Sequence, residues 1–160
     1  MGVPFGEHLG QRLETMTVVL EANAAVALLD EQHPLHGAAK RAVRNASSVV
    51  MLDVTRTEVF NRLRRHGGPE QLMADLYRRG IRIKAMGNDL ALAAMNLRTE
   101  HQNKWFPIVD AAVVALALDR GWQVLTAEPR WPTIPGVNIE TLGGSGNPAP
   151  SNEPGALQIT

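Results

Sequence analysis

The fold is decided by residues 107–126, which read PIVDAAVVALALDRGWQVLT. Pro107 is suited to open a helix and Gly121 is suited to end one, so a helix is predicted between them. The eight residues Ala111–Leu118 are all apolar, which indicates a helix buried on nearly all sides. Residues 122–126 follow as a short strand. A buried helix followed at once by a strand is the repeating unit of an α/β fold.

The same alternation of strands and helices runs through the rest of the chain. It predicts an α/β fold with a mainly parallel sheet and helices on both faces, in three layers. Residues 1–16 and 143–160 are interpreted as an N-terminal extension and a disordered C-terminal tail, which leaves 17–142 as one domain. The predicted strands are 17–20, 49–52, 81–86, 122–126 and 137–142, and the predicted helices are 22–29, 36–46, 55–66, 69–79, 89–100, capped by Asn88, and 107–121.

Length and composition exclude several classes of protein. The 160 residues are 44% apolar and 20% charged, which is typical of one globular domain. The chain has no cysteine, which excludes disulfides, thiolate nucleophiles and Cys-ligated metals. The longest apolar run is far shorter than the roughly 20 residues of a membrane span, and the first fifteen residues lack the apolar centre of a signal peptide. We therefore expect a soluble cytoplasmic protein with no membrane partner.

The formal net charge is zero, but the charges are unevenly distributed. Residues 40–84 contain eleven of the sixteen Lys and Arg residues and only four acidic residues. Such a basic region can bind a phosphate backbone. Solvated helix faces would explain it equally well.

Acidic residues follow the predicted strands. Glu21 directly follows the first strand and Asp53 the second, while Glu128 comes two residues after the fourth. Glu58 lies on the helix after the second strand, and Asp110 lies in the first turn of the apolar helix. Ligands of parallel α/β sheets bind at the carboxyl ends of the strands. Each acid taken singly could be an ordinary loop or helix residue, but their common placement indicates a site.

Two of these acids have apolar neighbours in the sequence. Glu21 is flanked by Val18-Val19-Leu20 and Ala22, and Asp110 precedes the apolar run. A buried carboxylate needs a cation or strong hydrogen bonds, and several converging carboxylates repel one another. A divalent cation relieves both problems, and carboxylate oxygens suit Mg²⁺ or Mn²⁺.

Four segments of the chain resemble the PIN-domain family and, within it, the toxin ribonucleases of bacterial VapBC toxin–antitoxin pairs. The resemblance spans about Thr17 to Leu142. Its most specific part is an acid that opens an alanine-rich helix, followed by a strand that ends in Leu-Thr-x-acid. The segments are Val18-Val19-Leu20-Glu21-Ala22-Asn23, Thr57-Glu58-Val59, Val109-Asp110-Ala111-Ala112-Val113-Val114-Ala115-Leu116-Ala117 and Val124-Leu125-Thr126-Ala127-Glu128.

The resemblance implies a three-layer α/β/α PIN-like domain with metal-dependent ribonuclease activity on single-stranded RNA or tRNA. In this family a cluster of acids holds one or two Mg²⁺ or Mn²⁺ ions, which activate a water against a phosphodiester. The catalytic acids implied here are Glu21, Glu58, Asp110 and Glu128, of which Glu21, Asp110 and Glu128 would be metal ligands.

The resemblance also implies supporting residues and partners. Asn23 and Thr126 match positions that support the acids by hydrogen bonding. A cognate antitoxin is implied as a protein partner, and a homodimer is implied through Leu28, Leu29, Leu35 and the helix 36–46. The side chains expected to hold the RNA backbone are Arg56, Arg62, Arg64 and Arg65.

The chain departs from the family pattern at two positions and leaves alternatives open. The family normally has Asp at the first and fourth acidic positions, where this chain has Glu21 and Glu128. Each Glu keeps the charge and adds one methylene, about 1.5 Å of reach. One alternative is a weak or inactive PIN-like domain that binds RNA or a protein partner without cutting. A nucleotide-binding or receiver domain is disfavoured, because no phosphate-binding glycine motif follows any predicted strand and 122–128 contains no lysine.

Overall fold

The structure is a computed structural model that describes residues 16–101, 106–131 and 133–143. The predicted N-terminal extension, apart from Met16, and the predicted tail, apart from Gly143, lie outside the described residues. The domain division therefore stays a prediction.

The described residues form five strands and six helices, and the predicted order of element types is confirmed. The strands are four or five residues long, and most begin or end within two residues of the predicted bounds. The strands are β1 (Thr17–Leu20), β2 (Ser48–Leu52), β3 (Ile81–Lys84), β4 (Gln123–Thr126) and β5 (Asn138–Thr141), and the helices are α1 (Ala22–Leu29), α2 (His36–Asn45), α3 (Asp53–Leu63), α4 (Pro69–Arg78), α5 (Asn88–His101) and α6 (Ile108–Arg120).

The five strands form one sheet in the order β3-β2-β1-β4-β5. Every neighbouring pair is parallel, with Val18 beside Val49 and Val19 beside Val124. The chain moves outward from β1 in one direction to β2 and β3, and then returns to the other side of β1 for β4 and β5. Such a reversal opens a crevice at the carboxyl ends of the two strands that flank it, here β1 and β4.

Alternate residues of the strands face two separate hydrophobic cores. Val18 and Leu20 belong to the core that also contains buried residues of α1 to α4. Val19 belongs to the opposite core, which contains buried residues of α5 and α6. Because successive strand side chains point to opposite faces, the sheet is covered on both sides, and the predicted three-layer arrangement is confirmed.

The apolar helix α6 is buried as predicted, since all residues from Ala111 to Ala117 are buried. It ends at Gly121, which has φ +67°, a left-handed conformation that favours glycine. Among the described residues, no helix combines the length and the apolar character needed to cross a membrane.

Four predictions near β2 and β3 differ from the structure, namely the start and end of α3, the end of β3, which is Lys84 rather than residue 86, and the cap Asn88. One carboxylate explains two of these differences. Helix α3 begins at Asp53 rather than residue 55, and it ends at Leu63 rather than residue 66. Oδ1 of Asp53 accepts hydrogen bonds from the backbone N–H groups of Val54 (2.8 Å) and Met86 (3.1 Å). Asp53 therefore stabilises the start of α3, and the N–H of Met86 bonds to a carboxylate instead of extending β3. Asn88, predicted as a cap, is the first residue of α5.

Candidate active site

Glu21 lies at the carboxyl end of β1 and is almost completely buried, with 1% of its surface exposed. It has extended backbone angles and is the N-cap of α1, where its Oε1 accepts a 2.9 Å hydrogen bond from the backbone N–H of Asn23. Its own N–H donates to the carbonyl oxygen of Leu125 on β4, at 3.0 Å. Both the backbone and the side chain of Glu21 are therefore fixed at the crevice between β1 and β4.

Thr126, the last residue of β4, connects Glu21 to the loop that carries Glu128. Its buried hydroxyl donates a 2.8 Å hydrogen bond to Oε2 of Glu21. The same hydroxyl oxygen accepts a 3.0 Å hydrogen bond from the backbone N–H of Glu128. A threonine at this position thus satisfies one oxygen of a buried carboxylate and sets the start of the loop.

Asn23 brings a cation to the carboxylates. Its Oδ1 accepts a 2.7 Å hydrogen bond from Nη2 of Arg62, 39 residues further along the chain on α3. The positive charge of Arg62 lowers the pKa values of both Glu21 and Asp110, although other effects outweigh it. Arg62 is therefore the cation of α3 that acts on this group of acids.

Asp110 is the acid whose titration is most perturbed. Its pKa is raised to about 7, mainly by burial and then by the neighbouring charges of Glu21 and Glu58, with a smaller contribution from Glu128. The pKa of Glu21 is also raised, mainly by burial and to a lesser degree by Glu58, against the hydrogen bonds from Asn23 and Thr126. The charges of carboxylates from three other segments of the chain therefore act on Asp110.

The other two acids are held differently. The exposed side chain of Glu58 acts on Glu21 and Asp110 only through its charge. Glu128 is hydrogen-bonded to Arg130, whose backbone N–H and Nε donate to Oε1 at 3.1 Å and 3.0 Å. Those hydrogen bonds lower the pKa of Glu128. Sequence reasoning missed Arg130, because a contact two residues along a loop depends on how the loop turns.

The arginines expected to bind RNA lie on α3 and just after its end. Arg62, Arg64 and Arg65 are exposed, and Arg56 is partly buried. Not all of the basic region is near the acids, since Arg82 donates a 2.7 Å hydrogen bond to Ser48 at the amino end of β2. The positive charge of residues 40–84 is therefore divided between the carboxyl ends and the amino ends of the strands.

The proposed dimer face is corrected at one residue. Leu28 is 1% exposed and belongs to the core between the sheet and α1 to α4, so its side chain is not available to a second subunit. Leu29 and Leu35 are partly buried against the same core. The dimer itself stays a prediction.

The donor set at this edge suits a hard divalent cation, because it consists of carboxylates with uncompensated negative charge. In the arrangement described here, Glu128 bonds to Arg130, and no three His, Asp or Glu side chains within 16–101, 106–131 and 133–143 lie close enough together to hold a metal ion. The chemistry of the residues fits Mg²⁺ or Mn²⁺.

Comparisons with known proteins identify the family to which this chain belongs. The model of the PIN-domain family matches residues 18–137, which is most of the chain. The protein is therefore a member of the PIN-domain family. No curated protein matches the chain.

Solved toxin structures share the fold at low sequence identity. VapC20 of Mycobacterium tuberculosis, a toxin described as cleaving the sarcin–ricin loop, is 22% identical, with a TM-score of 0.58 over 66% of this chain and 85% of that one. A toxin–antitoxin complex from Klebsiella pneumoniae contains a chain that is 20% identical, with a TM-score of 0.63 over 78% and 96%. In DNA-bound VapBC from Salmonella typhimurium, the matching chain is 21% identical, with a TM-score of 0.59 over 79% and 98%. The resemblance to VapC toxins in fold is confirmed.

Proposed function

We propose that this protein is a metal-dependent ribonuclease that hydrolyses phosphodiester bonds of single-stranded RNA or tRNA, and that it is the toxin of a toxin–antitoxin pair. The observation that carries the proposal is the state of Asp110. Burial and three neighbouring carboxylates raise its pKa to about 7, which is the electrostatic condition that a divalent cation would relieve. Strongly perturbed acids at a crevice of the sheet are typical of functional sites.

Glu21, Asp110 and Glu128 would hold Mg²⁺ or Mn²⁺, with Glu58 adding negative charge beside them. The bound ion would lower the pKa of a water and neutralise charge that develops on the phosphate. Glu21 is fixed by Asn23 and Thr126, so its oxygens keep one position, which catalysis requires.

The arginines of α3 would bind the RNA backbone. Arg62 lies among the acids through its hydrogen bond to Asn23, while Arg64 and Arg65 are exposed where α3 ends. Guanidinium groups bind phosphate oxygens in pairs of parallel hydrogen bonds. RNA bound along α3 would therefore pass the crevice between β1 and β4. The description of VapC20 as a toxin that cleaves the sarcin–ricin loop supports RNA as the substrate class.

A cognate antitoxin is proposed as the protein partner, because similar folds occur in toxin–antitoxin complexes. Its cationic side chains would be attracted to the carboxylates that remain uncompensated around Asp110. A homodimer through Leu29, Leu35 and α2 is proposed on the family resemblance.

A second candidate is a PIN-like domain that binds RNA or a protein partner without cutting. The observation that favours it is the hydrogen bonding of Glu128 to Arg130, because this bonding would compete with metal binding by one of the four acids. The two candidates differ in a single property, since only the enzyme releases cleaved RNA.

The experiment that tests the proposal is incubation of the purified protein with a mixed pool of single-stranded RNA and tRNA. Mg²⁺ and Mn²⁺ are added separately, and a parallel sample contains EDTA. The proposal predicts cleavage that stops in EDTA and returns when excess metal is added. RNA that is bound but stays intact with both metals would support the binding domain instead.

A further inference from the structure

Glu128 and Arg130 form an ion pair at the mouth of the candidate site. Nε of Arg130 lies 3.0 Å from Oε1 of Glu128, and the Arg130 side chain is 78% exposed. The Glu128 side chain is 26% exposed, so its carboxylate is accessible but partly enclosed by the loop. An ion pair with one such exposed partner is weak, and a competing anion can displace it.

The loop that carries this pair is attached to the site at both ends. At one end Thr126 bonds to Glu21. At the other end Trp131 packs edge-on against Phe106, with 5.6 Å between the ring centres and 86° between the planes. Phe106 comes just before α6, the helix whose first turn contains Asp110. The loop of Glu128 is therefore attached to Glu21 at one end and to the segment that precedes α6 at the other.

The charge of Glu128 is nevertheless outside the main group of acids. Within the described residues, no three His, Asp or Glu side chains lie close enough together to hold a metal ion, and Oε1 of Glu128 accepts a 3.0 Å hydrogen bond from Nε of Arg130. The backbone of Glu128 thus lies in a loop attached to the site, but the hydrogen bond from Arg130 holds the Glu128 carboxylate away from the other acids.

We propose that Arg130 is a positioning residue that holds Glu128 away from Glu21 and Asp110 until an RNA phosphate takes the place of Glu128 on its guanidinium. A guanidinium binds phosphate and carboxylate with the same geometry, and the exposure of Arg130 gives a phosphate access to it. Release of Glu128 then completes the set of acidic ligands only when RNA is present. This inference rests on the proposed function, and it adds that substrate binding and metal binding strengthen each other.

The test measures metal binding rather than cleavage. Mn²⁺ is titrated calorimetrically into the metal-free full chain, with Arg130→Gln compared with the wild type. The matched control is Arg120→Gln, since Arg120 also has an acidic neighbour, with 3.4 Å between its Nε and Oδ2 of Asp119, at the far end of α6. We expect Arg130→Gln to tighten Mn²⁺ binding about 2- to 5-fold and Arg120→Gln to leave it nearly unchanged. Adding Glu128→Gln to Arg130→Gln should abolish the gain.

A second titration uses a short oligo(dT) strand as a source of phosphates. The oligonucleotide should tighten Mn²⁺ binding by the wild type and by Arg120→Gln. It should have little further effect on Mn²⁺ binding by Arg130→Gln. Absence of any difference between Arg130→Gln and Arg120→Gln in both titrations would overturn the inference.

The failure of this inference can be told apart from the failure of the proposed function. If wild type binds Mn²⁺ and Asp110→Asn does not, while Arg130→Gln behaves like wild type, the metal site stands and the role of Arg130 is wrong. If neither wild type nor Arg130→Gln binds Mn²⁺, the metal dependence is wrong and the inference falls with it.

Discussion

The hydroxyl of Thr126 donates a 2.8 Å hydrogen bond to Oε2 of Glu21, and this bond joins the carboxyl ends of β4 and β1. Both residues are buried. The bond spans the point where the strand order reverses, which is where ligands of parallel sheets bind. It therefore fixes the most deeply buried acid of the site.

Replacing Thr126 by valine keeps the shape of the side chain and removes its hydroxyl. Oε2 of Glu21 then loses this donor in a buried position, and the substitution should lower the free energy of unfolding by about 1–3 kcal/mol. Urea unfolding at neutral pH measures the change. The control is Thr99→Val on the exposed side of α5, where the hydroxyl donates to the carbonyl oxygen of Met95. We expect this substitution to lower the free energy of unfolding by less than about 0.5 kcal/mol. Equal effects of the two substitutions would contradict the role assigned to Thr126.

Stability should fall as the pH rises through the range in which Asp110 titrates. The pKa of Asp110 is raised from 3.8 to about 7 in the folded protein, so the folded state binds more protons than the unfolded state between about pH 4 and pH 7. The metal-free protein should therefore lose stability over that range. Asp110→Asn should remove the part of this pH dependence that is due to Asp110, because the amide does not titrate.

Thermal unfolding in EDTA at several pH values measures this effect. Glu21 has a raised pKa as well, so some of the loss should persist in Asp110→Asn. Identical pH profiles of the wild type and Asp110→Asn would show that Asp110 titrates in its ordinary range. Mn²⁺ should restore stability to the wild type above pH 7, since bound metal stabilises the folded state.

The arginines on and after α3 should bind RNA mainly through its phosphates. For single strands, the slope of log K against log salt concentration changes by about 0.7 for each phosphate contact. Arg62→Gln and Arg65→Gln should each make the slope shallower by about that amount. Fluorescence anisotropy of labelled single-stranded RNA in EDTA measures binding without cleavage. The control is Arg120→Gln, because the guanidinium of Arg120 lies over the ring of Trp122, 5.6 Å from its centre. An equal reduction of the slope in this variant would argue against a localised RNA surface.

Replacing Gly121 and Gly37 separately by alanine should change the free energy of unfolding in opposite directions. Gly121 has φ +67° at the end of α6, and nothing lies within 4 Å of the position of an added Cβ. The cost of Gly121→Ala is therefore conformational, about 1–2 kcal/mol. Gly37 lies in the first turn of α2, where alanine should stabilise the helix by about 0.5 kcal/mol. Chemical unfolding of both variants checks the signs, and a stabilising Gly121→Ala would contradict the left-handed conformation.

The order of the elements could be predicted from the sequence because its signals are local. The apolar run Ala111–Leu118 and the glycine that follows it define α6, and the short β-branched segment Thr17–Leu20 defines β1. The placement of acids after strands predicted a site at the carboxyl ends of the strands, and the acids in that prediction were Glu21, Asp53, Glu58, Asp110 and Glu128. The charges of Glu21, Glu58 and Glu128 act on Asp110, whereas the carboxylate of Asp53 accepts a hydrogen bond from the N–H of Met86.

The details of the candidate site could not be predicted in the same way, because they depend on contacts between distant segments. The hydrogen bond from Arg62 to Asn23 spans 39 residues, and that from Thr126 to Glu21 spans 105. The role of Asp53 was missed because its carboxylate bonds to Met86 after β3. No periodicity in the sequence encodes such pairings.

We propose that the acids at the crevice of β1 and β4 form a metal-dependent ribonuclease site. The most direct test compares initial rates of RNA cleavage in Mn²⁺ for wild type, Asp110→Asn and Asp119→Asn. Both substitutions replace one aspartate of α6 by its amide, at opposite ends of the helix. We expect Asp110→Asn to lower the rate by about 100-fold or more, while Asp119→Asn keeps the wild-type rate. Equal rates for the two variants would show that the cleavage does not depend on this site, and the claim would be wrong.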